Sequence, residues 1–217
     1  MKTKLISETI GTLFLLLIVV GSGIMGENLT ENKAVVLLAN SIATAFGLIV
    51  LIWTFGPYSG AHFNPVVSIV MMLLGKLTKH ETILFIFCQV IGGVFGVMIA
   101  NIIFDLDIIS ISDNKRLTRG IFISEVFATF GLLITILLVS KQKTEMVAPA
   151  VGLYIGAAYW FTSSTSFSNP AVTIARTLSN TFTGITPLDV LPFILAQLIG
   201  ATMMFLVYKS VYEEQND

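Results

Sequence analysis

Charged side chains are scarce in this 217-residue chain, where they make up 12% of the residues against 55% hydrophobic residues. A soluble domain carries about a quarter charged residues, so this chain has too few to cover a globule in water. The formal net charge of −1 excludes a basic surface for nucleic acid. The scarcity of charge therefore places the chain in the membrane class.

Cysteine and histidine are also nearly missing. The single cysteine, Cys88, excludes an intramolecular disulfide, and the two histidines add too little for a zinc cluster. No metal or other cofactor is predicted. No pairing of a nucleophile with a base stands out either, so we predict that the protein is not an enzyme.

Long stretches without formal charge dominate the sequence. Four of them, 9–26, 82–104, 120–140 (interrupted by Glu125) and 190–208, each fit one helix across a core of about 30 Å. Residues 34–75 and 146–175 do not fit, because as single helices they would be ~63 Å and ~45 Å long. Their middles read TFGPYSGAHFNP and TSSTSFSNP. Irregular backbone at membrane depth survives only along a wet cavity or inside protein. Each run is therefore predicted to hold one span, a re-entrant loop and a half-helix that begins at Asn-Pro.

The two halves of the sequence resemble each other. ISETIGTLFLLLIVVGS from Ile6 matches ISEVFATFGLLITILLVS from Ile123, Asn64-Pro65 matches Asn169-Pro170, and QVIG from Gln89 matches QLIG from Gln197. Three spans per half is an odd number, so the halves have opposite orientations. The predicted fold is one all-α membrane channel domain over 1–217 with six transmembrane helices and two re-entrant half-helices. Its inverted repeats cover approximately 1–105 and 118–217.

The Asn-Pro pairs suit half-helices that begin inside a membrane. Asparagine is a strong N-cap, and proline fits the first helical turn because its missing N–H is not needed there. Asn64 and Asn169 are therefore predicted to cap the half-helices and to offer fixed donors to a lumen. Two donors at two positive helix ends form a midplane barrier to cations and protons, while a neutral solute with an oxygen can pass. The alternative is that each Asn-Pro pair only starts a helix. That interpretation would suffice for one pair, but it is less able to explain two pairs at repeat-related positions.

SGAHFNPVVS and SFSNPAVTIART resemble the two signature loops of the aquaporin, or major intrinsic protein, family. The resemblance extends over essentially the whole chain. It implies a six-helix bundle with two half-helices, a pore in each subunit, a homotetramer, and passive transport of water, glycerol, urea, ammonia or uncharged metalloid acids. The half-helix motifs are Asn64-Pro65-Val66 and Asn169-Pro170-Ala171. Because Val66 replaces the usual alanine, a small packing adjustment is expected where the half-helices meet.

A second departure concerns the selectivity filter that the resemblance implies. The family generally has arginine directly after its second motif, where this chain has Val172, and the other filter positions fall on Thr44, Ala157 and Ser166. Such a filter is small-sided, weakly polar and without the fixed positive charge, so solutes larger than water should fit. The pattern resembles a bacterial aquaglyceroporin-like branch associated with arsenic handling, which suggests arsenite or methylarsenate as substrates.

Four other polar residues have assigned roles. Glu8 and Glu125 are predicted to scaffold the re-entrant loops by accepting backbone N–H groups, in preference to relaying protons. His62 is predicted to line the pore wall. For Arg176 two interpretations stay open: it keeps an outer vestibule positive and attracts anionic or dipolar solutes, or it satisfies helix-end carbonyls or pairs with Asp105 or Asp107.

Three functions compete. A passive solute channel is the first, and a coupled secondary transporter with a midplane site is the alternative, since broken helices also build carrier sites. The carrier is disfavoured because only two repeat-related glutamates lie in the spans. A structural membrane protein is the third. The small excess of lysine and arginine in short loops predicts cytoplasmic N- and C-termini in the cell (inner) membrane. The expected partners are small solutes, the lipid bilayer and copies of the same chain.

Overall fold

Residues 1–213 are described in the computed structural model, and this part of the chain is helical without strands. Eight α-helices follow one another: α1 Lys2–Leu29, α2 Lys33–Ser59, α3 Pro65–Leu73, α4 Lys79–Ile103, α5 Arg119–Gln142, α6 Val147–Phe161, α7 Pro170–Ala175 and α8 Pro187–Val207. Short 3₁₀ turns precede α6 and follow α7, and a π-helical turn continues α8. The predicted all-α fold is confirmed.

The six long helices occupy the predicted spans, but they are not equal in length. Five of them are long and apolar enough to cross a membrane. The exception is α6, which has 15 residues and is therefore only ~22 Å long. The preceding 3₁₀ turn, Thr144–Met146, lengthens it slightly. The helix ends early because the chain turns at Thr162 into the second re-entrant loop.

The half-helices α3 and α7 begin at the two Asn-Pro pairs. Asn64 and Asn169 are their N-caps: the Asn64 side chain accepts from the backbone N–H of Val66, and the Asn169 side chain accepts from those of Ala171 and Val172. Each following proline occupies the start of the helix, where no intrahelical N–H bond is lost. The local sequence therefore determines where both half-helices start.

Glycines let the long helices approach closely. A Cβ on Gly92 would overlap the carbonyl of Thr9, and a Cβ on Gly200 would overlap the carbonyl of Val126. These two contacts join α1 to α4 and α5 to α8, and they relate residues that the sequence repeat aligns. Gly96 meets the carbonyl of Leu13 in the same way. Replacing hydrogen with any side chain here would force the helices apart.

Candidate functional site

A cavity of about 830 Å³ runs between the helices and past both half-helices, and we call it the lumen. One end, which we call the terminus side because α1 begins there, is lined by Lys4, Lys76 and Glu145. The opposite end, which we call the far side, is lined by Thr44 and Arg176. Apolar side chains form most of the wall between the two ends, including Leu15, Val19, Leu48, Leu132, Val151 and Ile155.

The two asparagines lie in the middle of the lumen wall. The Asn64 amide donates to the carbonyl of Ser168 at 2.8 Å, and the Asn169 amide donates to the carbonyl of Phe63 at 2.8 Å. Each half-helix cap is thereby bonded to the re-entrant loop of the other half. Because an amide NH₂ has two hydrogens, one donor per asparagine is used in this bond and one is left for a solute.

Glu8 holds the first re-entrant loop. Its carboxylate accepts from the Ser59 hydroxyl at 2.6 Å and from the backbone N–H of His62 at 3.0 Å and of Phe63 at 2.8 Å. The Gln89 amide donates to it at 2.7 Å. The carboxylate is fully buried and does not line the lumen. Its oxygens replace the partners that the loop N–H groups would have had in a helix.

Glu125 does the same for the second loop. It accepts from the N–H groups of Phe167 and Ser168, both at 2.9 Å, and from the Gln197 amide at 2.7 Å. Each of these residues is the repeat counterpart of one bonded to Glu8. Both loops also contain non-glycine residues in the left-handed region, at Ala61, Phe63, Thr165, Ser166 and Ser168. Such residues carry strain that surrounding bonds must offset, and the glutamates supply such bonds at Phe63 and Ser168.

Three of the four predicted filter residues meet on the far side. Thr44, Ser166 and Val172 all line the lumen. Ala157 does not: it lies exposed on the outer face of α6, in line with Leu153 and Phe161 one turn away on either side. The prediction for Ala157 is therefore wrong in this structure. Counting back from Asn169 missed the correct face because the loop between α6 and α7 is irregular.

Tyr159 lines the lumen where Ala157 was expected. It is 4% exposed, shares the inner face of α6 with Ile155 four residues earlier, and lies 3.1 Å by its hydroxyl from the Thr44 hydroxyl. The spacing of four residues between Ile155 and Tyr159 was the signal in the sequence that both lie on the inner face of α6. Five residues line the far side of the lumen, and we call them the far-side constriction after the filter that the sequence predicts there: Thr44, Tyr159, Ser166, Val172 and Arg176.

The remaining motif residues are structural. Val66 is fully buried and packs in an apolar cluster with Leu133 and Met204, away from the lumen lining. Ala171 is equally buried, and its carbonyl lies against Gly93 of α4. The side chain of Val66, which is larger than alanine, therefore packs against α5 and α8. His62 lies in the lumen wall, with Nδ1 3.0 Å from the Ser68 hydroxyl.

Arg176 reaches back into the lumen. Its guanidinium lies 3.6 Å from the ring centroid of Phe167, and its Nε donates to the carbonyl of Thr183. The side chain is 3% exposed and belongs to the same wall as Val172, so it does not stand in a separate outer vestibule. Within residues 1–213 it has no carboxylate at ion-pair distance, so the expected pairing with Asp105 or Asp107 is absent there.

A lumen flanked by two half-helices from the two halves of the chain, each capped by asparagine, defines a membrane channel built on an inverted repeat. The profile of the Major intrinsic protein family matches residues 1–166. The chain belongs to this family of channels.

Individual relatives agree with this assignment. The chain is 47% identical over 198 residues to Aquaglyceroporin AqpS of Rhizobium meliloti (strain 1021), covering 91% of this chain and 85% of that protein. It is 29% identical to Aquaporin NIP1-2 of Arabidopsis thaliana, covering 71% of this chain and 54% of that one. The X-ray structure of the aquaglyceroporin from Plasmodium falciparum superposes with a TM-score of 0.77 at 21% identity, covering 99% of this chain and 98% of the other. That structure supports the fold.

Proposed function

We propose that the protein is a passive channel for small solutes that include water, glycerol and metalloid species such as arsenite or methylarsenate. The observation that carries the proposal is the position of the two intramembrane glutamates. Both are fully buried outside the lumen wall, with their oxygens bonded to loop donors. A proton-coupled carrier needs a titratable group beside its substrate, and neither glutamate is available for that role.

The composition of the constriction supports solutes larger than water. Thr44, Ser166 and Val172 are small, and each presents a hydroxyl or a methyl group to the lumen. The ring of Tyr159 takes the place in the wall that the sequence assigns to Ala157, and its hydroxyl adds a polar contact. A solute with several oxygens can exchange hydrogen bonds there while its carbon side follows the apolar wall.

Relatedness adds to this argument. AqpS, which shares 47% identity with this chain over most of both proteins, is named an aquaglyceroporin. Glycerol is therefore the first solute to test. Arsenite and methylarsenate are proposed from the absence of arginine at position 172, which leaves the wall there apolar.

Assembly and placement are proposed from the surface. Large apolar side chains cover the helices, with Leu188 at 80% exposure and Leu153 at 63%. Such a surface needs lipid or other copies around it, and the proposed assembly is a homotetramer in the inner membrane. Short terminus-side loops carry lysines, including Lys76 after α3 and Lys143 after α5, which favours cytoplasmic termini.

The test uses purified protein in liposomes under osmotic and isotope gradients. Water, glycerol, arsenite and methylarsenate should enter faster than in protein-free vesicles, in proportion to their gradients and regardless of an imposed pH or Na⁺ gradient. Ile155→Trp fills the lumen and should block all of them. Leu153→Trp, on the outer face of the same helix, is the matched control and should conduct. Saturable uptake that requires a pH or Na⁺ gradient would establish the carrier instead, and no flux at all would indicate a structural protein.

A further inference from the structure

The two half-helices present the same two positions to the lumen. Three and seven residues after each asparagine, the wall contains Val67 and Met71 in the first half and Val172 and Arg176 in the second. Residues four apart on a helix share a face, which explains why both members of each pair line the cavity. Arg176 is the charged member of this set.

The guanidinium of Arg176 is fixed in place. Its central carbon lies over the Phe167 ring, 3.6 Å from the centroid, and the Thr183 carbonyl accepts from Nε. Phe167 is itself positioned by its N–H bond to Glu125 at 2.9 Å. Because Nε is used, the Nη groups are the ones left to contact a passing solute.

The charge of Arg176 is also left without a counter-ion. Neither Arg176 nor Arg116, whose guanidinium lies 5.4 Å from the same ring, has a carboxylate at ion-pair distance in the described part of the chain. Arg116 is anchored on the carbonyls of Phe182 and Gly184. Two cations around one ring give the far side a positive field, and this field is weakly screened because Arg176 is buried and Arg116 is partly buried.

We infer that Arg176 supplies the fixed positive charge of the far-side constriction, one helical turn beyond position 172, and that it is the residue that excludes cations there. The inference rests on the proposed channel function. It replaces the expectation that this filter carries no fixed charge. The Phe167 ring and the Thr183 carbonyl hold the Arg176 guanidinium against the lumen wall. The far-side constriction therefore combines an apolar residue at position 172 with a positive charge beside it.

The experiment compares glycerol with guanidinium, a small planar cation, in proteoliposomes. Wild-type protein should conduct glycerol and exclude guanidinium. Arg176→Met, which inserts the residue that the first half has at the equivalent position, should raise guanidinium entry about tenfold or more while glycerol flux is kept or increased. Arg176→Lys keeps the charge and should keep the exclusion. Arg119→Gln removes an exposed cation at the start of α5 and is the matched control, with no expected change.

Each outcome decides the inference. Guanidinium conduction by wild-type protein, or unchanged exclusion in a well-folded Arg176→Met that carries glycerol, overturns it and leaves the channel function intact. If Arg176→Met does not assemble, Phe167→Leu removes the platform instead and should raise guanidinium entry severalfold, and unchanged exclusion overturns the inference. Absence of glycerol flux in wild-type protein refutes the proposed function instead.

Discussion

Replacing Glu125 tests how the second re-entrant loop is held. The carboxylate accepts from two backbone N–H groups, of Phe167 and Ser168, and from the Gln197 amide. Glu125→Ala leaves the two backbone N–H groups without a partner, while the Gln197 amide keeps its bond to the Thr173 hydroxyl at 3.0 Å. An unsatisfied buried donor costs about 1–3 kcal/mol, so the two backbone groups together cost about 2–6 kcal/mol, a large share of the whole stability of a typical protein at about 5–15 kcal/mol. We expect this variant to fail to assemble.

Glu125→Gln should be much milder. An amide keeps one acceptor oxygen, and in the place of the present Oε2 it still accepts from the Ser168 N–H and the Gln197 amide. One backbone N–H then remains unpaired, at a cost of about 1–3 kcal/mol. We expect this variant to assemble with a lowered melting temperature and to conduct glycerol at every pH, because no proton transfer at residue 125 is needed.

The assay is thermal unfolding in detergent followed by glycerol flux in liposomes. Glu31→Ala, which removes an exposed carboxylate in a far-side loop, is the control and should change neither measurement. The scaffold argument is refuted if Glu125→Ala is as stable as wild type. A Glu125→Gln protein that assembles normally but conducts nothing would point to a chemical role for the carboxylate. Glu8 should behave in the same way, since its partners are the repeat counterparts.

Three further variants test the lumen and the packing. Asn169→Asp should admit cations, because a carboxylate replaces the amide that donates to the Phe63 carbonyl. If cation leak and solute flux are unchanged in the folded variant, Asn169 is not a pore donor. Val172→Arg should suppress glycerol and arsenite while sparing water, and full glycerol and arsenite flux would show that residue 172 does not line the constriction. Gly96→Ala should destabilise the protein by about 1–3 kcal/mol, measured by melting, because its Cβ overlaps the Leu13 carbonyl. Gly56→Ala, with open space around it, is the control, and equal melting of the two variants would contradict the packing argument.

The sequence was sufficient where local chemistry decides the outcome. Charge-free length determines the spans, and Asn-Pro determines where a half-helix begins, so Asn64 and Asn169 could be assigned as caps from the residues alone. The odd number of spans per half then requires inversion. The scaffold role of Glu8 follows from the same kind of reasoning, because loop N–H groups at membrane depth need acceptors that water cannot supply.

The far-side constriction depends on tertiary geometry that spacing cannot give. Counting from Asn169 assumes a fixed path for the preceding loop, but residues 162–168 include Thr165, Ser166 and Ser168 in the left-handed region. Their turns change which residue of α6 stands opposite the half-helix, so Tyr159 lines the wall and Ala157 faces outward. Arg176 could be placed on the face of Val172, but its anchoring on Phe167 depends on how the re-entrant loop folds back over the half-helix.

The inverted repeat separates residues that must match from residues that are free to differ. The scaffold pairs are chemically the same in both halves, because each re-entrant loop has the same unsatisfied N–H groups and needs the same acceptors. The lumen-facing pairs carry no such requirement, since their side chains do not bond the loop N–H groups, and His62 accordingly corresponds to Phe167. Where Met71 corresponds to Arg176, the difference places a cation on one side of the midplane asparagines. A solute therefore passes different side chains in the two halves of the lumen, although the bonds that hold the two re-entrant loops are the same. Single substitutions of lumen-facing residues can change selectivity without weakening those bonds.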